Sequence, residues 1–332
     1  MSDDRALLQR LIEGPATGDT LARASGQTRA AIWKRIEALR EAGVAIEARA
    51  GRGYALAQPL DLLDAAAIHA ALPPGARAAL AGLEAAWSLD STNSELLRRP
   101  TPERGALALL AERQTGGRGR RGRAWASPLA AHLYLSVARQ FGGGLARLGG
   151  LSLVAGVAAA EAVRELGFAA RLKWPNDLVV GTGAELRKLG GVLVEGGGEH
   201  AGPARAVIGL GLNVRMPPAQ AARIDQPWAD LAGLAAPQPP PARNAVAAAV
   251  LARLLPALEL FDAEGLAPFR ERYAALDALA GQVVRVQGAD AAWSGRALGL
   301  AEDGALRVRL DGGGERRFHS GEVSVRAAGA AA

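Results

Sequence analysis

The chain has 332 residues, room for two or three domains, and 49% of them are apolar, so a sizeable core can form. It has no cysteine, which excludes disulfides, thiolate metal sites and a thioester on the chain, and its four scattered histidines lack metal-ligand spacing, so no protein-held metal is expected. The net charge of +6 is modest for this length; with three lysines, three tyrosines and no cysteine almost nothing titrates above neutrality, so the high isoelectric point does not by itself argue for nucleic acid.

There is neither a basic and apolar leader nor an unbroken apolar run of 18 residues, so the expectation is a soluble cytoplasmic protein without membrane association. Residues 5–57 read as three short helices and a hairpin. Helices near 5–13 and 19–24 lead to the turn Ser25-Gly26-Gln27, and a third helix starts at Thr28 as N-cap. Ile32, Ile36 and Leu39 share one face of that helix, Lys34 lies nearly opposite, and Gly43 stops it. Two strands, 44–48 and 54–57, then flank the loop ARAGRG. This is the order of a winged helix-turn-helix. Thr28, Arg29, Ala30, Lys34 and Arg35 would enter a major groove, with Arg49 and Arg52 of the wing on phosphate.

An Ala-rich connector, read as helical, covers 61–86. Residues 87–277 mix strands (105–112, 132–138, 171–173, 190–195, 206–214) with long apolar helices over 146–166 and 242–261. From 278 to 327 short β-type runs separated by Gly and Asp turns suggest a small separate barrel, and 328–332 reads as a frayed tail. The fold class is therefore α+β: a winged helix-turn-helix, a central mixed α/β domain and a C-terminal barrel.

Five clusters carry the chemistry: STN at 91–93, ERQTGGRGRRGRAW at 112–125, KWPND at 173–177, KLGGVLVE at 188–195 and GLGLNV at 209–214. Each has an ordinary reading alone: a helix cap, an RNA-binding Gly-Arg tract, a proline turn, a closely packed strand. The Gly-Arg run buries nothing of its own and its arginines repel, so it should be mobile when empty and ordered around an anion. Of 39 cationic residues only Lys34, Lys173 and Lys188 are lysine, and two of these fall inside the clusters. A lysine that persists among arginines marks a place where a compact ammonium serves better than a planar fork.

The order and wording of the five clusters resemble the biotin–protein ligases, with a central domain like class II synthetases and an SH3-like C-terminal barrel. TRAAIWKRIEALREAGV and GRGYAL are similar to the bifunctional bacterial members, which also repress biotin synthesis genes. The resemblance implies a two-step reaction that joins biotin to ATP as biotinyl-5′-AMP, with Mg²⁺, and passes biotin to a lysine of a biotin carboxyl carrier protein. It implies biotin contacts at Ser91, Thr92, Asn93, Gln114, Gly117, Arg118, Gly119, Arg120, Lys188, Gly191 and Gly209. Arg118 would take biotin's carboxyl end. Nucleotide contacts are implied at Arg118, Arg120, Arg123, Trp125, Asn176, Asp177, Lys188, Asn213 and Arg326, with Arg120, Asp177 and Lys188 catalytic and Gly211 giving close approach. It also implies operator DNA as a partner and a homodimer when the adenylate is bound.

Departures are the bulky Leu210 in GLGLNV, the glycine triplets 142–144 and 196–198 where relatives carry dimer-forming loops, and Trp33 and Arg35 on the recognition helix. Two alternatives are a biotin-sensing regulator without ligase activity and a ligase whose DNA-binding domain is vestigial.

Overall fold

Thr17 and Thr28 each turn a loop into a helix. The hydroxyl of Thr17 accepts from the Thr20 amide at 3.1 Å and that of Thr28 from Ala31 at 3.2 Å, partnering amides that a helix start leaves free. In the computed structural model, which describes residues 3–49, 51–198, 203–321 and 323–327, α1 (Asp3–Glu13), α2 (Gly18–Ser25) and α3 (Arg29–Glu41) pack through Leu8, Leu11, Leu21, Ile32, Ile36 and Leu39. Gly26, at φ 65°, closes α2 before the turn. β1 (Ile46–Arg49) and β2 (Gly53–Leu56) form the antiparallel wing. The expected tail, 328–332, lies outside the described residues, as do Ala50 of the wing loop and Glu322.

The connector is not helical to its end. After α4 (Ala65–Ala71) and α5 (Pro74–Ala78), residues Leu80–Ala86 form β3, paired in parallel with β4 (Ala106–Ala111) across α6 (Thr92–Arg98). The run LAGLEAA has high helix propensity, but an open edge of β4 offers backbone partners that outweigh it.

The central sheet continues with β5 (Leu133–Phe141). Helix α7 (Leu151–Glu165) precedes β6 (Arg171–Lys173), β7 (Asp177–Val180), β8 (Arg187–Gly198) and β9 (Ala204–Leu212). Its order is β3-β4-β5-β9-β8-β7-β6, antiparallel beyond the first pair. The short α8 (Pro218–Ala221) and α9 (Leu231–Ala235) lead to α10 (Arg243–Glu264), and α11 (Arg270–Leu276) follows it. The expected helix over 146–166 is split: a 3₁₀ turn over Leu145–Leu148 is closed by Gly149, and Gly150 at φ 85° starts α7. By length and composition, segments 145–165 and 243–264 are apolar enough to span a membrane, yet both lie against the sheet and each other, which accounts for their apolarity.

The C-terminal unit is a five-stranded antiparallel sheet of β10 (Val283–Gln287), β11 (Ala292–Leu300), β12 (Leu306–Leu310), β13 (Glu315–Phe318) and β14 (Ser324–Ala327), ordered β13-β12-β11-β10-β14. It is not separate. Val284, Val286, Ala297, Val308 and Phe318 join the central core, and Trp174 Nε1 donates to the Gly304 carbonyl at 3.0 Å.

Candidate active site

Strand alternation builds one face of the site. Leu133, Leu135 and Val137 on β5 and Ile208, Leu210 and Leu212 on β9 enter the core beneath α7 and α10, so the residues between them face the other way. Registered across the sheet, those residues form two rows: Ser136–Gly209–Leu193, and Tyr134–Gly211–Gly191–Asp177. Glycine is required at two places. A Cβ on Gly209 would lie 2.3 Å from Asn93 Oδ1, and one on Gly211 would lie 2.6 Å from the Trp125 indole. At Gly191 a Cβ would make only ordinary contacts with Lys188 and Asp177, at 3.4 and 3.5 Å. Leu210, the bulky departure, points into the core and leaves this face unchanged.

Ser91 caps α6, and Ser91, Thr92 and Asn93 are buried at its start. The amide and hydroxyl of Thr92 donate to Gln114 Oε1 at 2.8 and 3.1 Å, while Gln114 Nε2 donates to Ser127 Oγ at 3.3 Å. Asn93 is fully engaged: its Nδ2 donates to the Leu193 carbonyl and to Glu195, and Ser136 donates to its Oδ1 at 2.6 Å.

The Gly-Arg loop is shaped by its backbone and tethered by its arginines. The Trp125 amide donates to the Gly117 carbonyl at 2.9 Å and the Gly119 amide to that of Arg123 at 2.7 Å, with a 3₁₀ turn over Arg120–Gly122. Gly117 is packed so tightly that a Cβ would meet Ser127 Oγ at 2.6 Å. The tethers come from three elements. Arg118 pairs with Glu195 of β8 at 2.9 Å, Arg120 donates to Asn176 Oδ1 at 3.2 Å, and Arg121, at φ 56°, donates to the Gly321 carbonyl of the C-terminal sheet at 3.3 Å. Arg123 stays exposed. The resemblance implies that Arg118 holds biotin's carboxyl end; here its guanidinium pairs with Glu195, a carboxylate of the chain itself.

KWPND is a hairpin between β6 and β7 with a cis Trp174–Pro175 bond, and it sets two polar groups at the end of the second row. Asn176 Nδ2 donates to the Val192 carbonyl at 2.7 Å, leaving its oxygen to Arg120. Asp177 Oδ1 lies 2.7 Å from Lys188 Nζ, and the same ammonium stands 5.4 Å from the centre of the Trp125 ring. Burial pushes the Arg120 guanidinium below its ordinary value, with Arg121 adding and Asp177 opposing. Lys173 is also lowered, first by burial; Asp177 raises it, and Lys188, Arg326 and Arg123 lower it. The position thus gathers cations from four segments around one carboxylate. Arg326, exposed on β14, is brought to it by the docking of the C-terminal sheet. Asn213 is buried, and its amide is committed to the carbonyls of Ala229 and Lys188 at 3.0 and 3.4 Å, so it fixes the strand bearing Lys188. Among the described residues no group of three or more His, Asp or Glu side chains converges as a metal site.

On the winged helix, Ala30, Lys34 and Trp33 are exposed on α3, Trp33 at 55%. Arg29 pairs with Asp19 at 3.2 Å and Arg49 with Glu47 at 3.0 Å, both exposed, and Arg52 is exposed in the wing. Arg35 differs from its expected role. Its guanidinium clamps α1 to α3 through Asp3 and Asp4, both at 2.6 Å, and through Gln27, so it is committed within the domain.

Two groups escaped the sequence reading. Glu195 and Ser136 were legible as alternate positions of β8 and β5, the same faces as Gly191 and Tyr134. The trio of Arg243 (2% exposed), Glu112 (0%) and the half-buried Asp61 was not, since its members are far apart in sequence. It ties the residue just before the Gly-Arg loop to the connector, where Leu63 donates to Glu112 at 2.5 Å. Beyond the loop, Leu129 donates to the Ala42 carbonyl and packs in the core of the winged helix.

A glycine-lined sheet face, closed by an arginine loop and ending in a lysine–carboxylate pair amid further cations, defines a site for bringing two anions together. The comparisons give the family. The Biotin/lipoate A/B protein ligase family profile matches residues 86–213, an HTH domain matches 4–55, and the Biotin protein ligase C terminal domain matches 280–326. The chain is 40% identical over 315 residues to the Bifunctional ligase/repressor BirA of Salmonella typhimurium, covering 94% of this chain and 93% of that one. The Escherichia coli protein of the same name is 39% identical over the same shares. The structure of Biotin protein ligase from Aquifex aeolicus in complex with biotin and ATP superposes with a TM-score of 0.61 at 27% identity, covering 75% of this chain and 99% of that one. The chain belongs to the biotin protein ligase family, in the bifunctional ligase/repressor group.

Proposed function

We propose that the chain is a biotin–[biotin carboxyl-carrier protein] ligase that uses its own intermediate as a corepressor. The observation that carries the reading is the Lys188–Asp177 pair at 2.7 Å beneath Trp125, with Arg120 beside it on Asn176. An oxygen of biotin's carboxylate attacks the α-phosphorus of ATP, the bond to the β-phosphate oxygen breaks, and pyrophosphate leaves. Lys188 sits between the two anions as a point charge that follows the moving oxygen, and Arg120 and Arg123 balance charge on the phosphate. Arg326 extends this charge from the C-terminal sheet. Mg²⁺ would add further neutralisation of the phosphates, and the oxygens of Asn176 and Asp177 are donors of the hard type it takes.

Trp125 covers the nucleotide and keeps water from the mixed anhydride. The ε-amine of the carrier lysine then attacks the acyl carbon, AMP leaves, and Asp177 takes the proton. Thr92, Gln114 and Ser91 form the biotin-ring end, with Asn93 held against Gly209 as its floor. With the adenylate bound, two chains associate and present Ala30, Lys34 and the wing arginines Arg49 and Arg52 to two operator half-sites. The setting is the cytoplasm, without membrane association.

The test is incubation with ATP, biotin and an isolated carrier domain. Biotin on one carrier lysine is the expected result. Biotin binding without transfer or pyrophosphate release would replace the ligase with a sensor, and biotinylation without any DNA selected from random duplexes would leave a ligase with a vestigial winged helix.

A further inference from the structure

We infer that Glu195 is a positioning residue that cancels the charge of Arg118, so that the site has a single anion-attracting end and biotin enters in one direction. The inference rests on the proposed ligase reading and assigns a residue that reading leaves unused. Glu195 stands on the site face of β8, in alternation with Leu193 and Gly191. Both its oxygens accept from Arg118 Nη2, at 3.0 and 2.9 Å, and Oε2 also accepts from Asn93 Nδ2 at 2.8 Å. The other arm of Arg118 donates to Ser94 Oγ, so the guanidinium is turned to the start of α6. The two side chains are 32% and 29% exposed, a partly desolvated pair for which loss of one partner matters more than on an open surface.

The charge pattern along the groove follows. Gly191 lies beside Lys188 and Asp177, and Glu195 is four residues further along the strand, roughly 13 Å at the rise of a β-strand. Near Gly191, Lys188, Lys173, Arg120 and Arg123 outnumber Asp177. At the far end the Arg118–Glu195 pair is neutral, and the groups bonded to it are the amide of Asn93 and the hydroxyl of Ser94, next to Ser91 and Thr92 at the start of α6. A ligand with a neutral hydrogen-bonding head and an anionic tail then has one favourable orientation. Were Arg118 unpaired, both ends would attract the carboxylate, and part of the biotin would bind reversed, with its carboxylate away from the α-phosphate.

The test uses the full chain and four variants: Glu195→Gln, Glu195→Asp, Arg118→Met, and Glu195→Gln with Arg118→Met. Readouts are the KM for biotin and for ATP in pyrophosphate release, equilibrium binding of biotin, and inhibition by octanoate, a carboxylate without the head group. Glu195→Gln should raise the biotin KM roughly tenfold, far more than the ATP KM, and make octanoate an inhibitor. Glu195→Asp, which keeps the charge, should stay near the parent. The double variant should recover most of the loss, because the stranded cation is gone; a purely structural role would instead make it worse than either single change. Unchanged biotin KM and octanoate response in Glu195→Gln, or a double variant no better than Glu195→Gln, would overturn the inference. If the parent chain released no pyrophosphate with biotin, the ligase reading would fail. The same comparison of variants in biotin binding would then decide on the Arg118–Glu195 pair alone.

Discussion

The ammonium of Lys188 is held between a carboxylate oxygen of Asp177, 2.7 Å away, and the face of Trp125, 5.4 Å from the ring centre. These two contacts fix a compact charge, and a guanidinium cannot fill the same space without pushing on one of them. Lys188→Arg therefore keeps the charge and loses the placement. Biotin-dependent pyrophosphate exchange should fall roughly a hundredfold, the scale of one misplaced electrostatic group at a transition state. Near-parental exchange would sink the argument for a lysine.

Gly211 is the floor on which Trp125 rests. A methyl group there would overlap the indole, 2.6 Å from its nearest ring atom, and the neighbouring backbone cannot yield as a side chain would. Gly211→Ala should lift the tryptophan and shorten the lifetime of bound biotinyl-adenylate by roughly tenfold, since covering the intermediate is what excludes water. Release as slow as in the parent would show that Trp125 does not act as a cover.

Breaking the buried Arg243–Glu112 pair should be among the most destabilising single changes. Arg243→Met removes the cation paired with Glu112 in the interior, a change that costs about 3–5 kcal/mol in comparable cases. Combining it with Glu112→Gln should recover part of that loss in denaturant unfolding. The single variant should also weaken adenylate retention, because Glu112 fixes the start of the Gly-Arg loop against the connector at Leu63. Full retention with lowered stability would confine the trio to a structural role.

His132 makes stability depend on pH. It is fully buried, accepts from the Val214 amide at 3.1 Å, and burial with the nearby Arg243 pushes its value from 6.5 down to about 3. Between those values the unfolded chain binds a proton that the folded chain excludes, so this contribution is complete above pH 6.5 and declines as the pH falls toward 3. The slope approaches about 1.4 kcal/mol per pH unit. His132→Asn keeps an acceptor for Val214 and should flatten that part of the profile in urea unfolding; an unchanged slope would assign it to other groups.

Two neighbouring cations on α3 should separate DNA binding from stability. Lys34 is exposed, so Lys34→Ala should weaken operator binding and reduce the salt dependence of log K by roughly one counterion. Arg35 clamps Asp3 and Asp4, so Arg35→Ala should instead lower the melting temperature of the winged helix. Equal loss of salt dependence in both would place Arg35 on the phosphates after all.

Local chemistry was the legible part. Thr28 as a cap and the apolar face of Ile32, Ile36 and Leu39 are written in spacing, and so are the strands that carry Gly191, Gly209 and Gly211. What the sequence concealed depends on partners distant along the chain. LAGLEAA has the propensity of a helix, and only the open edge of β4 makes it a strand. Arg118 and Arg35 look like free cations until the fold brings Glu195, Asp3 and Asp4 to them. Arg243 and Glu112, 131 positions apart, become a pair only when α10 crosses the start of the arginine loop.

One intermediate serves two purposes, and sedimentation velocity with biotin alone, ATP alone and both together tests this most directly. With both ligands, pyrophosphate should appear and the chain should sediment as a dimer, while either ligand alone leaves it slower. Bound adenylate with no change in sedimentation at any working concentration would contradict the coupling between the site and the winged helix.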